Sequence, residues 1–243
     1  LWLNKLDDEY VKYFDTSLTF RQDTDWVEKN LTGIYELEYM LPSSGPDGIF
    51  DPHYLKQVDA FAVWLRTQPE VNHVSSLADV LRKLNRNFNG DDPAYFRIPE
   101  TRALATQYFL AYELALPQGM DVSDRVDVSR TSLRLSASLD NVSSEQVRAL
   151  EARARSWLEA HVDKRMHVAA TSPTLMFANI GKRNIFSMIS GEIVAMVLVG
   201  LLLGLGLGSL RLGALSLVPT ILPAAVAFGV WGVFVGQVGL ASS

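Results

Sequence analysis

SGEIVAMVLVGLLLGLGLGSLRLG, residues 190–213, holds one acid, Glu192, and one base, Arg211, and is otherwise apolar or small. Extended backwards, Phe186–Gly208 is about 23 residues, roughly 34 Å of helix against about 30 Å of bilayer hydrocarbon. Extended forwards, Leu212–Val235 adds about 24 uncharged residues, again enough to cross. Only Ser209, Leu210 and Arg211 intervene. The spacing therefore predicts a transmembrane α-helical hairpin, with the residues before 185 and after 236 on one side of the membrane. A hairpin buried in a soluble protein is the competing reading, and two such runs in series favour the membrane.

Several residues inside these runs invite a role. Gly200, Gly204 and Gly208 recur every four positions on one helix face, as do Gly232 and Gly236. Missing side chains let membrane helices approach closely, although glycine is also common in such helices. Gly204, Gly206 and Gly208 spell GxGxG without the preceding strand that a nucleotide loop needs. Pro219 and Pro223 lie one turn apart, so backbone hydrogen bonds are lost and a kink is expected. Phe228, Trp231 and Phe234 cluster where interfacial rings are found. Glu192, roughly 9 Å into the first span, is either a proton carrier or a side chain reaching for the headgroups.

Beyond Arg183, Glu192 and Arg211 are the only residues among the chain's 22 Lys and Arg and 27 Asp and Glu, so the net charge of −5 resides almost wholly in the first three quarters. An acidic chain without a basic face argues against nucleic acid as a partner. Arg82, Lys83 and Arg86 alternate with apolar residues at helical spacing and read as a solvated helix face. The absence of cysteine excludes disulfides and thiolate metal sites.

The polar part alternates between two periods. Tyr35, Leu37, Tyr39 and Leu41 alternate with Glu36, Glu38 and Met40, as in a half-buried strand. Asp51 and Pro52 open a helix with the stripe Leu55, Val58, Phe61, Ala62 and Leu65. Val71–Ser76 reads as a strand. A helix capped by Ser76 and Asp79 follows, then the turn NGDDP (Asn89–Pro93), then a helix from Pro99 with Leu104, Tyr108, Ala111 and Ala115 on one face. Leu133, Leu135, Ala137 and Leu139 mark a further strand. Ser143 and Gln146 box a helix striped by Val147, Leu150, Ala154 and Leu158; Met166–Ala170 reads as a last strand. Ser172 and Pro173 then open a helix able to run on into the first span. Residues 1–30, with Tyr10, Tyr13 and Phe14 at helical spacing, read as a connector. The order predicts an α+β domain over 31–181, two split βαβ halves of ferredoxin-like type with a helical insert, followed by transmembrane helices within 182–243.

Catalytic chemistry finds no foothold. His53, His73, His161 and His167 are scattered, and no GxSxG, HExxH or phosphate loop occurs. Asp91–Asp92 and the trio Asp121, Asp124 and Asp127 lack the oxygen-ligand spacing of a calcium loop. No catalytic residue, cofactor or metal ligand is therefore assigned. Asn30-Leu31-Thr32 and Asn141-Val142-Ser143 match a short glycosylation pattern.

Longer phrases carry a resemblance: FRQDTDWVEKNLTG (20–33), DPHYLKQVDAFAVWLRTQPEVNHVSSLADVLRKLN (51–85), GDDPAYFRIP (90–99), SPTLMFANIGKRNI (172–185) and SLRLGALSLVPTILPAAVAFGVWG (209–232). In this order, over essentially all of the chain, they resemble the second half of an MMPL-like exporter of the resistance-nodulation-division (RND) superfamily. The resemblance implies an extracytoplasmic porter domain up to about residue 180, followed by the eighth and ninth membrane helices of a multi-pass plasma-membrane protein. A count of Lys182 and Arg183 against Arg211 points the other way, but long domains cross largely regardless of charge. It also implies efflux of hydrophobic or amphiphilic molecules, lipids among them, by proton antiport. The partners implied are membrane lipids, the transported substrate and the rest of the same exporter chain, with homo-oligomers known among such proteins. The relay carboxylates are expected beyond Ser243, in a longer parent, and Glu192 matches none of them. A membrane-anchored extracytoplasmic sensor or binding domain, or a protein-secretion accessory of related architecture, stands as the alternative.

Overall fold

The computed structural model describes residues 5–6, 11, 14–117, 122–234 and 237–238. Two compact units result. One holds Val11–Val142 and Gln146–Leu175; the other holds Leu1–Tyr10, Ser143–Glu145 and Met176–Ser243. Numbered along the chain, β1 (Lys5–Leu6) pairs in parallel with β5 (Gln237–Val238) in the second unit.

The first unit begins with α1 (Thr19–Asn30), which buries no residue and exposes Phe20 and Trp26. Tyr10 and Tyr13 lie outside the described residues. Its sheet is three-stranded and antiparallel, in the order β2 (Tyr35–Pro42), β4 (Ser132–Leu139), β3 (Val71–Ser75). Alternation decides which face is covered. Leu37, Tyr39 and Leu41 on β2, Leu133, Leu135, Ala137 and Leu139 on β4 and Val74 on β3 are buried. Glu36, Met40 and Arg134 point to the opposite, open face. Gly33 stands where a Cβ would come within 2.0 Å of the Leu139 carbonyl oxygen, so only glycine lets the chain enter β2 beside the end of β4.

Two helices contribute to the core below that sheet. Helix α2 (Pro52–Arg66) starts where expected: the Asp51 carboxylate accepts from the backbone N–H of His53 and Tyr54, at 2.8 and 3.2 Å, and Pro52 needs no donor. Helix α5 (Ser144–His161) adds Val147, Leu150, Ala154 and Leu158. Aromatic rings bind the layers: Phe61 meets Tyr39 edge-on at 5.0 Å and stacks with Trp157 at 5.5 Å, while Trp64 stacks on Trp157 at 5.6 Å. A polar tether joins α5 to the start of β3, where Arg153 grips both Glu70 oxygens at 2.7 and 2.9 Å.

The helical insert between β3 and β4 consists of α3 (Leu77–Phe88) and α4 (Arg102–Ala115). The fourth helix starts later than the expected Pro99, because the Thr101 hydroxyl accepts from the Leu104 N–H at 3.2 Å and fixes the first turn there. Buried Asn85 locks the insert: its amide donates to the Arg97 carbonyl at 2.9 Å and its side-chain oxygen accepts from Tyr108 at 3.3 Å.

The expected strand Met166–Ala170 does not form. A 3-10 turn occupies Lys164–Met166, and only Thr171 reaches the sheet, exchanging backbone hydrogen bonds of 3.0 and 2.7 Å with Glu38. Met166 and Ala170 are buried, as the alternating pattern requires, but the backbone between them bonds locally: the His167 N–H donates to Lys164 and that of Val168 to Met166.

Phe61→Ala should lower unfolding stability by about 3–5 kcal/mol, since it empties a site enclosed by three rings. Urea titration of the detergent-solubilised chain, followed by tryptophan fluorescence, checks this; a loss under 1 kcal/mol would show that the stack does not hold sheet to helices.

Candidate functional site

Two features stand out: a backbone-to-backbone approach between the apolar helices, and a charged groove in the α+β unit. Helix α6 (Pro173–Gly206) runs unbroken for 34 residues, with the Ser172 hydroxyl capping the Leu175 N–H at 3.0 Å. Among the described residues it is one of two helices long and apolar enough to cross a membrane; the other, Leu210–Trp231, comprises α7 (Leu210–Leu215) and most of α8 (Val218–Phe234).

The glycines expected to share one face divide into different tasks. Gly200 and Gly204 meet Gly213: a Cβ on Gly213 would lie 2.3 Å from the Gly200 carbonyl oxygen and 2.6 Å from the Gly204 Cα. Gly213 was not singled out in the sequence, because it pairs with no glycine at a four-residue interval. Gly208 lies outside α6 and ends it. With φ at 65°, it supplies the left-handed residue, while the Ser209 N–H returns to the Gly204 carbonyl at 2.9 Å and the Gly208 N–H to that of Leu205 at 3.2 Å. A Cβ there would meet none of the described residues, so no described helix packs on it. Gly232 falls within α8, and Gly236 lies outside the described residues.

The second apolar run, expected as one span over 212–235, is interrupted at Ser216–Leu217. Pro219 explains the break: it has no N–H for the Leu215 carbonyl, and its ring collides with that carbonyl if the helix continues. The Ser216 hydroxyl instead donates to the Gly213 carbonyl at 2.6 Å. Pro223 is accommodated inside α8. Glu192 is exposed on α6 and makes no ion pair with a described residue.

In the α+β unit, a groove of about 370 Å³ is bordered by Arg66, Lys83, Arg125, His73 and Tyr112, with Asp79 at its side. Asp79 is held on every side: Arg66 at 2.7 Å, Arg82 at 2.8 Å and the Ser76 hydroxyl at 2.8 Å. Burial alone would raise this carboxyl, but the Ser76 hydrogen bond and then the Arg66 and Arg82 guanidiniums outweigh it and hold it below the usual carboxylate range. Asp59, paired with Arg82 at 3.0 Å, moves upward instead, because burial outweighs its pairing.

The basic trio read as one solvated face is thereby sorted. Arg82 is consumed by Asp59 and Asp79, Arg86 lies over the Phe96 ring at 5.6 Å, and Lys83 borders the groove. Spacing along a helix could not show this, since Arg125 and Tyr112 arrive from distant sequence. Beside it lies a smaller cavity of about 130 Å³, bordered by Glu36, Glu38, Asp124 and Ser136, in which Glu38 is salt-bridged to Arg134.

Several other polar residues have partners within the fold. Asp127 caps a turn, accepting from Thr131 and Ser132 N–H groups at 2.6 Å each, and Asp92 caps Ala94 at 2.9 Å. Asp121 lies outside the described residues. His161 stacks on Trp157 at 4.6 Å, and His167 Nε2 lies 3.1 Å from the Val162 carbonyl oxygen. His53 Nε2 lies 4.0 Å from Asp163, and no group of three metal-ligating side chains occurs among the described residues. Comparison with models of known protein families, and with curated proteins, finds no match to this chain.

Gly213→Leu should destabilise the apolar helices by about 1–3 kcal/mol or more through overpacking, whereas Gly206→Ala, whose Cβ meets open space, should be neutral or better. Thermal aggregation midpoints in detergent separate the two; equal midpoints would show that the approach is not maintained. Asp79→Asn should cost about 1–3 kcal/mol at pH 7. Because the folded carboxyl titrates below its unfolded value of about 3.9, the stabilisation is complete above that value and fades as pH falls through the folded one. The difference from the unaltered chain should accordingly narrow as the pH falls below the unfolded value of about 3.9, as read by urea denaturation across pH.

Proposed function

We propose that the chain is part of a proton-motive-force-driven, RND-type exporter of the MMPL-like branch, moving lipids or other amphiphilic molecules. The observation that carries this reading is the union in one chain of an α+β unit with two helices long and apolar enough to cross a membrane, reached through the uninterrupted α6. The phrases that resemble such exporters extend across both parts. In this reading the α+β unit is a ferredoxin-like porter domain. Its support is the strand order: Glu38 turns its backbone groups away from β4 toward Thr171, so the chain after α5 lies on the free edge of β2, as the fourth position of a split βαβ sheet.

The reading places this domain outside the plasma membrane and the apolar helices within it, with Gly200, Gly204 and Gly213 as packing contacts in the membrane and Pro219 as a kink. Glu192 then lies near an interface. Proton transfer is assigned to carboxylates elsewhere in the exporter. One proton crossing about 100 mV supplies roughly 2.3 kcal/mol, and α6 is the continuous covalent element through which such work reaches the domain.

In cells loaded with a fluorescent amphiphile, the full protein containing this chain should speed its efflux, and a protonophore should abolish the gain. Efflux indifferent to the protonophore would overturn proton coupling, and no efflux of any amphiphile would favour a sensor. Two glycines inserted after Gly181 weaken α6, at about 1 kcal/mol each. They should abolish export with expression unchanged; undiminished export would remove α6 from the coupling path.

A further inference from the structure

The groove beside α3 combines three properties that together define a ligand. Its charge runs against that of the chain: Arg66, Lys83 and Arg125 face it with Asp79 as the one carboxylate, in a protein of net charge −5. Asp79 is already neutralised by Arg66, Arg82 and Ser76, so it does not cancel the remaining cations. Lys83 is exposed and forms no ion pair among the described residues, and Arg125 has exposed Asp124 at 3.6 Å and the Ser75 hydroxyl at 3.5 Å. Lys83 thus faces solvent unpaired, and half-buried Arg125 is held only by long contacts.

The second property is the wall. Val74, Val80 and Tyr112 line the same groove, giving it an apolar side next to its cationic rim. A volume of about 370 Å³ is at the small end of ligand sites, suited to a compact head with part of a chain. The third is the neighbour: the adjoining cavity sets Glu36, Glu38 and Asp124 against Arg125 and Arg134, with Glu38 already paired to Arg134, so it adds no further free cation. A polyanion reaching past Ser75 and Ser76 would find no further unpaired cation there, so the groove is matched to a single oxyanion head.

We infer that this groove binds an anionic amphiphile, with its carboxylate, phosphate or sulfate head between Lys83 and Arg125 and its alkyl chain against Val80 and Tyr112. That the ligand is also cargo rests on the exporter reading; the binding does not. Arg66 positions the rim through its bonds to Asp79 and to the Val74 carbonyl at 2.9 Å.

The test uses the full protein in nanodiscs of zwitterionic lipid, titrated calorimetrically with octyl phosphate below its micellar concentration. Octyl phosphate should bind with an affinity that falls as salt rises, octyl glucoside should not bind, and inorganic phosphate should bind at least about tenfold more weakly. Lys83→Glu, an exposed change that threatens no packing, should reduce affinity about tenfold or more, and Lys83→Arg should restore it. Lys164→Glu, a charge-matched surface change, should leave it unaltered. No binding by the unaltered protein, equal binding of octyl glucoside, or equal losses from Lys83→Glu and Lys164→Glu would each overturn the site. Inorganic phosphate binding as well as octyl phosphate would reduce it to a simple anion site and overturn the amphiphile. Efflux measured in parallel keeps the two readings apart: binding without export leaves the groove standing and removes the exporter, and export without binding does the reverse.

Discussion

Strand β4 is the element around which the α+β unit is assembled. It lies between β2 and β3, pairs antiparallel with both, and turns Leu133, Leu135, Ala137 and Leu139 into the core. A slip of one residue would turn those four side chains to the open face and bring Arg134 into the aromatic layer of Phe61 and Trp157. Register, core and the polarity of both sheet faces therefore depend on a single alternation. The open face carries polar and ionic side chains, including the Glu38–Arg134 pair, because nothing apolar from β4 reaches it.

The apolar helices are governed by backbone geometry instead. Gly200 and Gly204 come within contact of Gly213 because none of the three has a side chain, and Gly208 closes α6 by taking a conformation that other residues rarely adopt. Interhelical contact and turn thus arise largely from what is missing, with the Leu217 and Leu210 side chains filling the space beside Gly200 and Gly204. In hydrocarbon, where burying apolar area gives no gain over lipid, close packing of this kind is one source of attraction between helices.

Much of this was legible in the sequence. Period-two runs located β2 and β4, and Asp51–Pro52 and Ser76–Asp79 marked the starts of α2 and α3, since alternation and capping act over a few residues. Three features escaped that reading. Met166–Ala170 alternates but pairs only at Thr171, because strand formation depends on a partner edge as well as on pattern. Gly208 shares a spacing with Gly204 yet performs a different task, for spacing does not specify φ. The groove joins Lys83, Tyr112 and Arg125 from three segments, and its charge depends on Asp79 being occupied by Arg66 and Arg82; neither fact is local.

The break at Ser216–Leu217 has a chemical consequence. Neither Pro219 nor Pro223 can donate, so the carbonyls of Leu215 and Pro219 receive no N–H from the residue four positions on. Two carbonyls one turn apart thus lose their usual helical donor on a stretch that carries no ionisable side chain after Arg211. Such a stretch is electrostatically silent by composition and yet locally polar along its spine. It offers water or a neighbouring hydroxyl a place to settle that no hydropathy profile would register.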